Sequence, residues 1–135
     1  MREVNVDLIT QTIERLCIEA NYYLPADVKR ALEEAVSKEE SPLGREILQD
    51  LIKNAEIACR EDMPICQDTG LAVVFLELGQ DVHLVGGDLT EAINEGVRRG
   101  YINGYLRKSS VDDPFLERKN TGDNTPAIVH TTIVP

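Results

Sequence analysis

The sequence predicts an α+β fold, mainly helical, with a short β-hairpin and a C-terminal strand. Three observations carry that reading. Apolar residues recur three and four apart from Ile9 to Cys59, β-branched runs are confined to the second half, and Gly-Pro-Asp punctuation separates the segments. The 135 residues, 42% hydrophobic and 28% charged, have the make-up of an ordinary globular protein and suffice for one modest core. Residues 1–135 read as one segment: a helical part over 5–61, a loop at 63–70 and an α+β part over 71–135.

Ile9, Ile13, Leu16, Cys17 and Ala20 form one face of a first helix, with Glu14, Arg15 and Glu19 on the other. Pro25 suits a first helical turn, and Val28, Ala31, Leu32, Ala35 and Val36 continue a second helix to the charged break Lys38-Glu39-Glu40. Ser41 reads as an N-cap with Pro42 at N1. The third helix it opens carries a stripe expected to be buried: Ile47, Leu48, Leu51, Ile52, Ala55, Ala58 and Cys59. Pro64 lacks an amide hydrogen and biases Met63 toward extended backbone, so a loop follows. Leu71 to Leu78 is a strand, and Gly79-Gln80 turns it toward a second strand, Val82 to Val85, as a hairpin. Asp88 caps a fourth helix with the stripe Leu89, Ala92, Ile93, Val97, Tyr101 and Leu106. Gly96, Gly100 and Gly104 share one face of it, which predicts close approach to another backbone. A polar loop, Ser109 to Pro126, precedes the last strand, Ala127 to Val134. That β-branched run stops at Pro135 with no turn or tail, as at the cut edge of a sheet, so the expectation is an incomplete domain of a longer chain.

Charge narrows the function classes. Lys and Arg number 14 against 24 Asp and Glu, a formal net charge of −10, which disfavours nucleic acid and anionic membrane surfaces as partners. No run approaches the roughly 20 apolar residues of a membrane span. Met1 to Asp7 carries acids where a signal peptide needs a basic start and an apolar core, so the expected location is cytoplasmic. Three cysteines without dense spacing are expected to stay reduced.

Chemistry concentrates in Cys66-Gln67-Asp68-Thr69-Gly70, between a helix and a strand. Cys66 is a thiolate ligand or nucleophile in kind, Asp68 a base or acceptor, and Gly70 permits positive φ. Local chemistry alone favours reading the same residues as a turn held by Asx-type bonds, with Cys66 a small hydrophobe. A cysteine nucleophile needs a histidine in reach, and the candidates, His83 and His130, both fall in strands. Zinc is disfavoured because no Cys-x-x-Cys pair exists. Cys17 and Cys59 fall on apolar stripes and read as core packing. Arg98 and Arg99, adjacent on the fourth helix, point about 100° apart and read as surface or subunit-contact residues.

Taken in order, Pro64 to Gly70, the apolar strand after it, Gly86-Gly87, Tyr105-Leu106-Arg107-Lys108-Ser109 and Asn120 to Ala127 resemble the iron–sulfur-dependent class I fumarate hydratase / tartrate dehydratase family. The resemblance is specifically to the N-terminal part of the α subunit, and it covers about half the chain. It implies a hydro-lyase that hydrates fumarate reversibly to malate, with a [4Fe–4S] cluster held by three cysteines. Cys66 would be the first ligand, the other two lying outside this chain. The complete enzyme would hold the cluster, and this chain alone would lack both cluster and activity. Within the resemblance, Lewis-acid iron activates the hydroxyl leaving group. Gln67 orients substrate oxygens, Asp68 contacts the hydroxyl region and takes part in proton transfer, and Arg107 holds a substrate carboxylate through its two-pronged guanidinium. The implied partners are the remainder of the α subunit, a β subunit and a small dicarboxylate.

Two rivals stand beside that reading. Tartrate dehydratase would use the same ligand and differ around a second substrate hydroxyl. A non-catalytic helical module that docks a partner would also account for the acidic surface and the glycine-faced helix. Open apolar strand edges predict self-association, and a loop without its cluster is expected to be mobile from Cys66 to Gly70. Asn120 to Ala127 reads equally as site lining and as a turn into the last strand.

Overall fold

The computed structural model describes all residues, 1–135, as a mixed α and β chain with ten elements in the order β1 (Arg2–Asn5), α1 (Val6–Tyr22), α2 (Ala26–Lys38), α3 (Pro42–Glu61), β2 (Val73–Gly79), β3 (Val82–Val85), α4 (Leu89–Asn103), β4 (Val111–Asp112), β5 (Lys119–Asn120) and β6 (Ile128–Val134). It divides into two compact units, one of Met1–Ile18 with Gln67–Pro135, the other of Glu19–Cys66.

In the Glu19–Cys66 unit, α2 and α3 pack on each other across the short link Glu39–Ser41. Ser41 caps α3 as its sequence predicts, its hydroxyl accepting from the Gly44 amide with Pro42 at the first turn. Burial departs from the expected stripe. Ala55 and Ala58 are buried, whereas Ile47, Leu51 and Cys59 are exposed. A helix with one neighbour inside its unit covers only the narrow strip facing that neighbour, and α2 itself has no buried residue. Cys59 is therefore not a core residue. Beyond the C-cap, Ile65 is fixed through both backbone groups: its amide donates to the Asn21 carbonyl at 2.9 Å, and its carbonyl accepts from Asn54 Nδ2 at 2.8 Å.

The larger unit is built on α4. Asp88 caps it, accepting from the Glu91 amide at 2.9 Å, and Asn5 caps α1 by accepting from the Asp7 amide at 2.8 Å. The predicted stripe of α4 is the core: Ala92, Ile93, Val97 and Tyr101 are buried, and so is Leu106 beyond the helix end. The glycine face meets α1 as expected. A Cβ on Gly96 would lie 2.7 Å from both the Thr10 carbonyl oxygen and the Ile13 Cβ, and one on Gly100 would lie 2.7 Å from the Cys17 Cβ. The near contact lets Thr10 Oγ1 donate to the Ala92 carbonyl at 2.9 Å, in a buried bond between helices. Cys17 is half-buried there, as the core reading expects, and burial pushes its thiol up to about 11.

The strands exist where expected, but their pairing differs. No hairpin joins β2 to β3: β2 pairs in parallel with β6, from Val73 opposite Ile128 to Gly79 opposite Val134, and β3 pairs in parallel with β1, from Val82 opposite Arg2 to Val85 opposite Asn5. The turn shows why. The Gln80 amide donates to the Val134 carbonyl at 2.8 Å, and the Asp81 carbonyl accepts from the Arg2 amide at 3.0 Å. Groups that a hairpin would close on themselves are thus taken up by strands from the two ends of the chain. β1 and the two-residue antiparallel pair β4–β5, inside what reads as a plain polar loop, have no counterpart in the sequence pattern.

Candidate functional site

The Cys66–Gly70 segment follows the pinned residue Ile65. Cys66, Gln67 and Asp68 are exposed, whereas Thr69 is 8% exposed. Gly70 takes φ +60, a backbone conformation that side-chained residues seldom adopt, as its place in a tight loop predicts. The loop's inner side is held at Thr69 and Gly70. Thr69 Oγ1 donates to the Arg107 carbonyl at 2.6 Å, and the Tyr101 hydroxyl, buried at the end of α4, donates to the Thr69 carbonyl at 2.7 Å. The Tyr101 phenol is raised above its ordinary value, chiefly by burial, so it stays a donor. Thr69, within the loop expected to be mobile without a cluster, is thus held by two hydrogen bonds.

Arg107 lies just past the buried Leu106. It is exposed, and its guanidinium pairs with no carboxylate of the chain. Gln67, Asp68 and Arg107, three residues singled out from the sequence, are therefore on connected segments of one unit. Cys66 is the last residue of the other unit. His130 stacks on Phe75 with ring centroids 5.1 Å apart, and His83 lies in β3.

Asn124, in a segment whose sequence reads equally as site lining and as a turn, joins three segments. It is 1% exposed with φ +64. Its Oδ1 accepts from the Ser109 and Ser110 amides at 2.7 and 2.9 Å, and its Nδ2 donates to the Gly70 carbonyl at 3.1 Å. An asparagine tolerates this backbone and offers both a donor and an acceptor. The loop around it is braced in turn. Arg98 Nε donates to Asp123 Oδ2 at 3.0 Å and its Nη1 pairs with Glu95, while Asn94 Oδ1 accepts from the Ala127 amide at 2.9 Å. Burial would push the Asp123 carboxyl up, but the Thr125 amide and hydroxyl together with Arg98 outweigh it and hold it below its ordinary value. Arg98 is thus a brace of the 120–127 loop rather than a plain surface residue. Only the hydroxyl of Ser110, buried beside Asn124, has no partner.

The family profile for fumarate hydratase (Fumerase) matches residues 10–135, nearly the whole chain. The chain belongs to this family. Among Fumerase-family relatives, it is 38% identical over 123 residues to the putative L(+)-tartrate dehydratase subunit alpha of Methanocaldococcus jannaschii, a match covering 89% of this chain and 43% of that protein. It is 33% identical over 128 residues to the anaerobic class I fumarate hydratase of Escherichia coli, covering 93% of this chain and 23% of that protein. A third relative, fumarate hydratase 2 of Leishmania major, is 32% identical over 136 residues, with 98% and 24% covered. The chain thus spans less than half the length of these relatives. Within the larger unit, the Gln67–Gly70 segment and Arg107 form the candidate site. Thr69, Tyr101 and Asn124 are the residues that assemble it.

Proposed function

We propose that this chain is the N-terminal α-subunit segment of an iron–sulfur hydro-lyase that adds water reversibly to fumarate to give malate. One observation carries the reading: in a chain of this family, the exposed Gln67 and Asp68 and the unpaired guanidinium of Arg107 are tied together through the 2.6 Å bond from the Thr69 hydroxyl to the Arg107 carbonyl. A dicarboxylate presents a carboxylate suited to the forked donors of Arg107. Gln67, with one donor and one acceptor group, orients the substrate oxygens, and Asp68 serves proton transfer at the hydroxyl-bearing end.

Family kinship brings an iron–sulfur cluster into the proposal, and such clusters are held by several cysteine thiolates. This chain does not fit a complete cluster site. Cys66 is exposed in the loop, Cys17 is half-buried against α4, Cys59 lines a separate cavity of about 260 Å³ with Tyr23 and Lys29, and nowhere do three His, Cys, Asp or Glu side chains gather. Cys66 is accordingly assigned as one of three ligands, with two supplied from outside this chain, by the remainder of the α subunit or by a β subunit.

Anaerobic reconstitution with iron and sulfide, followed by visible absorbance and malate dehydration, tests the reading on this chain and on the α/β assembly. Cluster and turnover are expected in the assembly alone and should vanish in Cys66→Ala. Their retention in that variant overturns the assignment.

A second reading, L(+)-tartrate dehydratase, is favoured by the 38% identity to the archaeal relative of that name. The ratio of kcat/KM on malate and on tartrate separates the two, because specificity is a ratio of transition-state affinities.

A further inference from the structure

We propose that Asn124 is the positioning residue of the candidate site, setting the distance between the Gln67–Asp68 edge and Arg107 by bonding to both segments at once. The inference rests on the functional reading above for its catalytic consequence, and on geometry alone for the coupling. Asn124 Oδ1 fixes the Ser109 and Ser110 amides, two and three residues after Arg107, and Nδ2 fixes the Gly70 carbonyl, two residues after Asp68. Thr69 also bonds across, but it reaches the second strip of backbone from within the first. Asn124 is 1% exposed, so water does not reach its side chain, and loss of its bonds leaves the buried Ser110 amide without that acceptor and the Gly70 carbonyl with only the longer, 3.3 Å bond from the Tyr101 hydroxyl. Asn124 touches no reacting atom in this scheme. It acts through Gly70 and Ser109–Ser110, and misplacement of binding groups by about 1 Å is worth roughly 100-fold in rate.

Asn124→Asp isolates the Gly70 link. The variant keeps a short polar side chain that tolerates positive φ, keeps the acceptor for Ser109 and Ser110, and sets an oxygen against the Gly70 carbonyl in place of the donor. Protonation restores a donor. Burial raises the pKa of the introduced carboxyl while the Ser109 and Ser110 amides that donate to it lower it, and neighbouring Asp123 is held low by the Thr125 groups and Arg98. The other titratable group facing the position is the Tyr101 phenol, which is raised and stays protonated throughout.

Two measurements are paired. In the α/β assembly, Asn124→Asp is expected to raise KM for the dicarboxylate roughly 10- to 100-fold near neutral pH and to recover as pH falls, a profile the parent lacks. In the 135-residue chain, backbone amide shifts of Gln67, Asp68 and Arg107 should move in the variant and return on acidification. Asn124→Gly, which accommodates the backbone but offers neither bond, should shift the same amides with no return. If only the Ser109 and Ser110 amides respond, Asn124 braces a local turn and the proposal fails. If the amides of Gln67, Asp68 and Arg107 respond while the parent assembly turns over neither malate nor tartrate, the functional reading fails and the positioning role stands.

Discussion

The hydroxyl of Thr69 and the carbonyl of Arg107, thirty-eight positions apart, meet at 2.6 Å, and the exposed faces of their two segments are thereby presented together. Replacing Thr69 with Val keeps the shape and removes the donor, leaving the Arg107 carbonyl short of a partner. The expected cost is about 1–3 kcal/mol of unfolding free energy. Thr69→Ser, which keeps the hydroxyl, should recover most of it. Urea unfolding of the three proteins measures both, and equal stability of the Val variant and the parent would show the bond to be dispensable.

Gly96 sits where a methyl group meets backbone. Alanine there improves helix propensity by about 1 kcal/mol, but its Cβ would lie 2.7 Å from the Thr10 carbonyl oxygen. Main chain gives way less readily than a side-chain tip, and overpacking of this kind costs about 1–3 kcal/mol. Gly96→Ala is therefore expected to lower the urea midpoint, and a raised midpoint would contradict the close approach of α1 to α4.

The thiols should react in a definite order. Cys59 and Cys66 are exposed, whereas burial holds the Cys17 thiol at about 11, with very little thiolate at neutral pH. Timed alkylation with iodoacetamide, read by peptide mass spectrometry, should modify Cys59 and Cys66 well before Cys17. Early labelling of Cys17 would mean that α1 and α4 separate readily.

Acid should loosen the 120–127 loop. Glu95, bonded by Arg99 and Arg98, and Asp123 both lie below their ordinary values of 4.5 and 3.8. A carboxyl depressed by folding contributes stability above its ordinary value and loses it as pH falls through that value toward the folded one. The urea midpoint should accordingly decline from pH 4.5 downwards, and Arg98→Met should flatten that decline. An unchanged slope in the variant would place the acid sensitivity elsewhere.

Ser110 offers a contrast with Thr69. Its buried hydroxyl has no partner, so Ser110→Ala removes a desolvated polar group without breaking a bond. Stability is expected within about 0.5 kcal/mol of the parent or slightly above it. A loss of more than about 1 kcal/mol would reveal a bonded hydroxyl.

Much of the helical structure was legible because its determinants are local. Ser41-Pro42 and Asp88 cap helices through bonds to residues three positions on, and the Gly96–Gly100 spacing marks a close helix contact from one helix alone. The ordered motifs likewise led to Cys66, Gln67, Asp68 and Arg107, and Thr69 ties the backbone segments that carry the last three. Asn124 stayed hidden within Asn120 to Ala127 because a buried amide that joins separate segments looks, in sequence, like any turn asparagine.

By itself, then, the sequence determined the family, the four helices, the caps of two of them and the loop that carries the candidate chemistry. Each of these is written in neighbouring residues or in motifs kept in order. Tertiary structure decided the strand pairing, the exposure of Ile47, Leu51 and Cys59 on α3, and the convergence of Gly70, Ser109 and Ser110 on Asn124. The Gly79-Gln80 turn reads as a hairpin turn, but the Gln80 amide and the Asp81 carbonyl found partners at Val134 and Arg2, from opposite ends of the chain. Backbone groups pair with whichever strand the fold brings alongside, and that choice is settled by contacts between residues far apart in sequence.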